Sequence, residues 1–287
     1  MLQRVKTKLK DFNELVMFEH SIFSLPFIFI AMVVGADGWF GFGLLFLGVL
    51  AALSARNFAM GLNRYADRDI DAKNPRTMNR PNVDGRLDSN SIFMFVVLNA
   101  LAFIVVAYFI NDLAFYLSFP ILLVLGSYSY FKRFSSSAHL VLGLSLGLAP
   151  IAGVVAVLGE ITPWSVLLGL GVVFWVAGFD LLYSLQDIEF DKNEGLYSIP
   201  SVYGVDATLK LSAFLHLLTT IFWGMFVWSA DLGTFAYVAL TLSVIMLGYE
   251  HYLVRKDFTK IDRAFFTVNG YLGVVFFILV VIDRVLA

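Results

Sequence analysis

Long apolar runs without charge alternate with short polar connections along the whole chain. The runs fall at roughly 15–36, 40–62, 91–110, 113–131, 138–158, 163–185, 208–229, 232–252 and 265–284. Each is close to the roughly 20 residues a helix needs to cross a hydrocarbon core. The pattern predicts an all-α membrane protein of nine transmembrane helices.

The connections are of two kinds. Gly35-Ala-Asp-Gly38, Asn111-Asp112, Gly159-Glu-Ile-Thr-Pro163 and Ser229-Ala-Asp-Leu-Gly233 carry no Lys or Arg. The other set holds nearly all the positive charge: Arg4, Lys6, Lys8 and Lys10; Arg64, Arg68, Lys73, Arg76, Arg80 and Arg86; Lys132 and Arg133; Lys192 and Lys210; Arg255, Lys256, Lys260 and Arg263. Because basic loops stay on the cytoplasmic side, the N-terminus and this whole set are expected in the cytoplasm, with the protein in the cytoplasmic (inner) membrane. Arg284 is then the one basic residue on the wrong side.

Composition agrees with the pattern. Charged residues make up 15% of the chain, where a soluble domain carries about 25%. The net charge of −2 says little, because its distribution matters more than its sum. There is no cysteine, which excludes disulfides, iron–sulfur clusters and thiolate metal sites. No small-residue cleavage site stands out near the N-terminus, so the first span is expected to be retained.

Two acidic signatures interrupt the apolar text, Asn63-Arg-Tyr-Ala-Asp67-Arg-Asp-Ile-Asp71 and Asp187-Ile-Glu-Phe-Asp191. Asn63, Asp67 and Asp71 lie one helical turn apart, as do Asp187 and Asp191, while Asp69 and Glu189 point the other way. Carboxylates so placed repel one another unless a cation lies between them. One reading is a solvated helix end paired with Arg64 and Arg68. The other is a bound ion, for which hard oxygen ligands suit Mg²⁺ with phosphate oxygens completing its shell. Two copies, both at membrane helix ends, favour the ion. Basic residues crowd the same connections: Arg64, Arg76, Arg80, Lys132 and Lys192. Acids and cations around one mouth describe a polyanion held through metal.

The order of events repeats, with an acidic motif after spans two and six. This suggests a weak duplication within a single domain over 1–287, with halves of four helices at roughly 15–135 and 136–255 and a ninth helix closing the bundle. Arg56 lies on the face of Asn63 about 10 Å deeper, and an intramembrane Arg is a functional candidate. Asp180 is its counterpart in the second half, so a functional role and a purely structural Arg56–Asp180 pair are both open readings. His20, His139, His216 and His251 show no metal-ligand spacing and read as satisfied histidines.

At these residues the chain resembles the UbiA superfamily of intramembrane prenyltransferases, over essentially its whole length. The family's N-x-x-x-D-x-x-x-D is met by Asn63, Asp67 and Asp71, its D-x-x-x-D by Asp187 and Asp191, and its Y-x-x-x-K by Tyr128 and Lys132. Asn74-Pro-Arg-Thr-Met-Asn-Arg80-Pro81 and the stretch from Tyr183 to Pro200 look like the 4-hydroxybenzoate polyprenyltransferase branch and its relative in the futalosine route to menaquinone. The resemblance implies a central cavity capped on the cytoplasmic side, Mg²⁺ held by Asn63, Asp67, Asp71, Asp187 and Asp191, and a polyprenyl diphosphate. Arg64, Arg76, Arg80, Tyr128, Lys132 and Lys192 are then expected on the diphosphate, and Arg56 with Asp180 at an aromatic acid acceptor. The lipid bilayer is the other partner, and no nucleic acid is expected. An ion-coupled secondary transporter would also have a duplicated bundle, but with its acids nearer the membrane centre. A CDP-alcohol phosphatidyltransferase would have one aspartate motif rather than two.

Overall fold

In a computed structural model of the protein, the backbone is described for residues 2–17 and 23–286, and the side chains for 6–17 and 23–286. His20 and the side chain of Arg4 lie outside the described residues. All regular structure among the described residues is helical: α1 (Leu2–Leu15), α2 (Leu25–Gly35), α3 (Phe42–Ala66), α4 (Arg68–Asp71), α5 (Ser89–Ile110), α6 (Asp112–Phe131), α7 (Ala138–Leu158), α8 (Pro163–Tyr183), α9 (Ile188–Asn193), α10 (Ile199–Ser229), α11 (Thr234–Lys256), α12 (Ile261–Arg263) and α13 (Asn269–Leu286).

Eight helical stretches among the described residues are long and apolar enough to cross a membrane, and α2 is an apolar helix of only 11 residues. The expected first span is therefore corrected. The chain leaves α1 after Leu15, and α2 opens with Pro26 in its first turn, where the missing N–H does no harm. The seventh expected span also starts earlier than its charge pattern suggests. A capping box pairs Ser198 and Ser201 at the start of α10, and Gly204, at φ 82, takes a kink that most L residues avoid.

The contacts divide the chain into two compact units, Met1–Ser21 with Phe46–Tyr130, and Ile22–Leu45 with Phe131–Ala287. In the first, Leu15, Leu87 and Ile92 are buried together and Phe12 stacks on Phe95 with ring centroids 4.7 Å apart. The side chains of Val96 and Phe95 close over Gly61, so α3 and α5 approach where a larger residue would crowd them.

In the second unit α8 packs between α7 and α10, and α2 lies against α7 and α13. A hydrocarbon solvent offers no hydrophobic drive between helices, so close packing must supply the cohesion. Small residues permit it: a Cβ on Gly147 would meet the carbonyl of Gly169 at 2.7 Å. Behind this seam Phe27, Trp175, Trp223, Phe226 and Phe276 form a fully buried aromatic core. Large apolar side chains such as Phe42, Leu123, Trp228 and Ile245 instead face outward, as lipid contact requires.

The basic-poor turns of the second unit share one end. Arg284 donates to the Ala230 carbonyl at 2.6 Å and pairs with Asp37 at 3.2 Å. Asp283 accepts from the backbone N–H groups of Gly233 and Phe235 at 2.6 and 2.9 Å, capping α11. Arg284 is thus the partner of an acid and a helix end, which accounts for its place outside the basic set.

Candidate functional site

The first acidic motif sits where α3 breaks. Asp67 separates α3 from the single turn of α4 and takes φ −96, ψ 13. The ladder nevertheless runs through it, from Asp67 N–H to the Asn63 carbonyl at 2.9 Å and from Asp71 N–H to the Asp67 carbonyl at 2.8 Å. The expected face is therefore kept: Asp67 and Asp71 are buried, while Arg68 and Asp69 are exposed.

Each acid is held from several sides. Asn63 Nδ2 donates to Asp67 Oδ2 at 2.9 Å and to Ser129 Oγ at 3.2 Å. Arg80 donates to Asp71 Oδ1 at 2.8 Å, and Asn82 Nδ2 to Asp71 Oδ2 at 3.1 Å and to the Arg64 carbonyl at 3.0 Å. Thr77 Oγ1 closes the loop on the Asp71 carbonyl at 3.0 Å. Because both neighbours of Asn82 Nδ2 are acceptors, its amide orientation is fixed by the network. Its Oδ1 is then a buried acceptor without a partner beside Asp71. Burial pulls the Arg80 guanidinium down to about 10, Arg64 adds to the fall and Asp71 opposes it, so Arg80 stays a cation at neutral pH.

The second motif repeats this construction. After α8 a 3₁₀ turn over Ser184–Asp187 leads into α9, and Asp187 at the junction takes φ −105, ψ 8. Asp187 and Asp191 are half-buried, and Glu189 is exposed. Ser198, Asp187, Lys132 and His139 are the polar and charged neighbours of Asp191. The loop after α9 is pinned by Tyr197 N–H on the Lys132 carbonyl at 2.8 Å.

Among the described residues no three His, Cys, Asp or Glu side chains converge on one point. Each motif instead offers two carboxylates, which is what Mg²⁺ takes from protein when phosphate oxygens and water complete its shell. The unpartnered Asn82 oxygen beside Asp71 adds a hard acceptor of the same kind. The donor set fits the metal.

The other expected residues divide. Arg76 and Lys192 are exposed, and Lys132 and Tyr128 are half-buried. Arg64 is buried and faces inward, donating to Asn63 Oδ1 at 2.9 Å and to the Leu15 carbonyl at 3.4 Å. Through these bonds it helps to orient the motif. Arg56 donates through one terminal nitrogen to the carbonyls of Val16, at 2.8 Å, and Met17, while its other, NH1, is buried without a partner. Asp180 bonds His139 Nδ1 at 2.7 Å. His216 Nδ1 and His251 Nε2 bond one another at 3.0 Å, while His139 Nε2 and His251 Nδ1 are buried without a partner, so the expectation of satisfied histidines holds only in part. Asn82, Thr77, Ser129 and Ser198 are the contributors that spacing alone did not single out.

An aspartate pair thus stands at a break in an apolar helix in each unit, with a cation nearby. Residues 24–280 match the model of the UbiA prenyltransferase family, and the chain belongs to that family. It is a prenyl-transferring enzyme, which excludes the transporter and phosphatidyltransferase readings. It is 27% identical to a 4-hydroxybenzoate octaprenyltransferase of Marinobacter nauticus, over 97% of this chain and 96% of that one. It is 29% identical to the enzyme of that name from Tolumonas auensis, over 86% of each. Its fold matches the apo structure of a UbiA homolog from Aeropyrum pernix K1 with a TM-score of 0.84 and 30% identity, covering 92% and 98% of the two chains. A UbiA homolog from Archaeoglobus fulgidus, solved with DMAPP and Mg²⁺, shares the fold at a TM-score of 0.74 and 19% identity, covering 94% and 99%.

Proposed function

We propose that this enzyme transfers a polyprenyl group from an isoprenyl diphosphate to a ring carbon of an aromatic acid, 4-hydroxybenzoate in the first instance, as a step of quinone biosynthesis. The observation that carries the reading is the pairing of two half-exposed or buried aspartates with adjacent cations at each motif, above all Arg80 on Asp71. The names of the curated relatives support the acceptor, and the DMAPP and Mg²⁺ of the Archaeoglobus structure support the donor class and the metal.

Asp67, Asp71, Asp187 and Asp191 would hold Mg²⁺. When bound, the metal supplies positive charge that stabilises diphosphate as a leaving group. Arg80, with Arg76, Tyr128, Lys132 and Lys192, takes the remaining phosphate oxygens through charge-assisted hydrogen bonds. The allylic C–O bond breaks with its electron pair on diphosphate. The electron-rich ring carbon attacks the allylic cation to form the new C–C bond, and loss of its proton restores aromaticity. Preorganised cations where negative charge develops are the main catalytic device.

Arg56 orients the acceptor. A carboxylate in a cavity of low dielectric needs an offsetting charge, and Arg56 has an unused buried nitrogen on a fork fixed by two carbonyls. The acidic and basic connections face the cytoplasm, where both soluble substrate heads arrive.

The test is to incubate membranes with Mg²⁺, a polyprenyl diphosphate and either 4-hydroxybenzoate or a dihydroxynaphthoate, and to identify products by mass spectrometry. Prenylated 4-hydroxybenzoate that disappears on metal chelation is expected. Absence of product with either acid overturns the reading. Arg56→Lys, which cannot grip a carboxylate with two parallel bonds, should raise KM for the aromatic acid far more than KM for the diphosphate.

A further inference from the structure

We propose that Arg86 is a positioning residue for the aromatic acid, acting through the end of α1 on Arg56. The proposal rests on the reading that Arg56 binds the acid.

An α-helix ends with carbonyls that have no partner inside it, and cations answer them well. The end of α1 meets three guanidiniums. Arg56 takes the carbonyls of Val16 and Met17. Arg64 takes that of Leu15 and touches Met17 Sδ at 3.4 Å. Arg86 grips Glu14 with two parallel bonds of 2.6 and 2.7 Å and reaches Asp11 at 3.5 Å. The chain leaves the helix through Met17 at φ 46, a left-handed conformation that an L residue holds only where its surroundings impose it.

The two outer arginines differ in how they are used. Every donor of the Arg86 guanidinium is spent, since Nε bonds Asp84 at 2.7 Å and NH2 also bonds the Asn79 carbonyl at 2.9 Å. It is a fixed post on the loop between α4 and α5. Arg56 spends only one terminal nitrogen, and on backbone oxygens whose position is that of α1 itself. Of the described α1 side chains, Asp11 and Leu15 are buried and Phe12 is half-buried, and Glu14 is the one whose two oxygens Arg86 grips together. The clamp at Glu14 therefore sets where the carbonyls of Val16 and Met17 stand, and these set the direction of the free Arg56 nitrogen.

Glu14→Ala cuts the clamp from the helix side and leaves the bonds of Arg86 to Asp84 and Asn79 in place. It should raise KM for the aromatic acid about tenfold and leave KM for the prenyl diphosphate within about twofold. Arg86→Lys, which keeps the charge but loses the fork, should give the same split with little change in thermal stability. Because the effect passes through Arg56, Glu14→Ala should add nothing to Arg56→Ala in a double-mutant cycle. Fully multiplicative effects in the cycle, or an unchanged acid KM in both single clamp variants beside a raised one in Arg56→Ala, overturn the proposal alone. An unchanged acid KM in folded Arg56→Ala protein overturns the acid-binding reading and the clamp with it.

Discussion

Asp67 and Asp187 hold nearly the same backbone conformation, φ −96, ψ 13 and φ −105, ψ 8, each at the junction between a long apolar helix and a short one. This bridge region of dihedral space is sparsely occupied and recurs at active sites. It lets a helix tighten by part of a turn without losing its hydrogen-bond ladder. The first carboxylate of each pair is thereby set at the helix end, with the second one turn beyond on the same face. Two separate sequences have reached one local solution.

The matched junctions make a first prediction. Asp67→Asn, Asp71→Asn, Asp187→Asn and Asp191→Asn each keep the shape of the side chain and an oxygen acceptor, so each protein should remain folded. Turnover should fall by about two or more orders of magnitude in every case if, as proposed, these carboxylates hold the metal at the leaving group. Product formation measured over a Mg²⁺ titration checks this. Normal turnover of the Asp187 and Asp191 variants in excess metal would mean that only the first motif matters.

Asn82 yields a second, structural prediction. It is fully buried and ties Asp71 to the Arg64 carbonyl. Asn82→Ala should cost about 1–3 kcal/mol, the usual penalty when buried partners lose their bond. Asn82→Asp would place a second carboxylate against Asp71 and should be worse unless metal is present. Thermal unfolding with and without Mg²⁺ separates the two variants, and a metal-independent Asn82→Asp midpoint would argue against an ion at this place.

Much of this was legible in the chain, for reasons that differ by feature. Charge distribution marked the helix ends, because a basic residue is costly in hydrocarbon unless it has partners there. The i, i+4 spacing marked the faces of Asp67, Asp71, Asp187 and Asp191, because a helix converts spacing into direction. The break between α1 and α2 was not legible, since hydropathy reads through Pro26 as though it continued a span. The kink at Gly204 was hidden by Asp206 and Lys210, which made the start of α10 look like a loop. Asn82 and Thr77 act from an irregular loop where no period applies. The partners of Arg56 are backbone carbonyls, which leave no trace in a side-chain pattern. His139 and Asp180 are brought together across 41 residues by helix packing.

The topology can be tested without activity. Asn74 lies in the basic connection after the first motif, and Glu160 in a turn without Lys or Arg. In a chain with no native cysteine, Asn74→Cys and Glu160→Cys each provide a single label site. An impermeant thiol reagent should modify Asn74→Cys from the cytoplasmic face and Glu160→Cys from the opposite face. Modification of both from one side would overturn the span assignment.

The clamp at Glu14 gives a pH prediction with a definite sign. Its hydrogen bonds to Arg86 hold the Glu14 carboxyl below its ordinary value of 4.5, with Lys10 adding to the fall and Asp84 opposing it. The same bonds push the Arg86 guanidinium up, beyond any pH at which a protein is handled. A carboxylate depressed on folding contributes stability that is present above its unfolded value and is lost as pH falls through its folded one. The attachment of α1 should therefore be constant from neutral pH down to about 4.5 and weaken only in stronger acid. Because Glu14 and Arg86 are both partly exposed, the effect should be modest and should shrink in high salt. Amide hydrogen exchange across α1, measured between neutral pH and acid and corrected for intrinsic rates, reads this directly. Protection in α1 should drop in acid in the native protein and be low at every pH in Glu14→Ala. Loss of protection near neutral pH in the native protein would show that some group other than Glu14 governs the docking of α1.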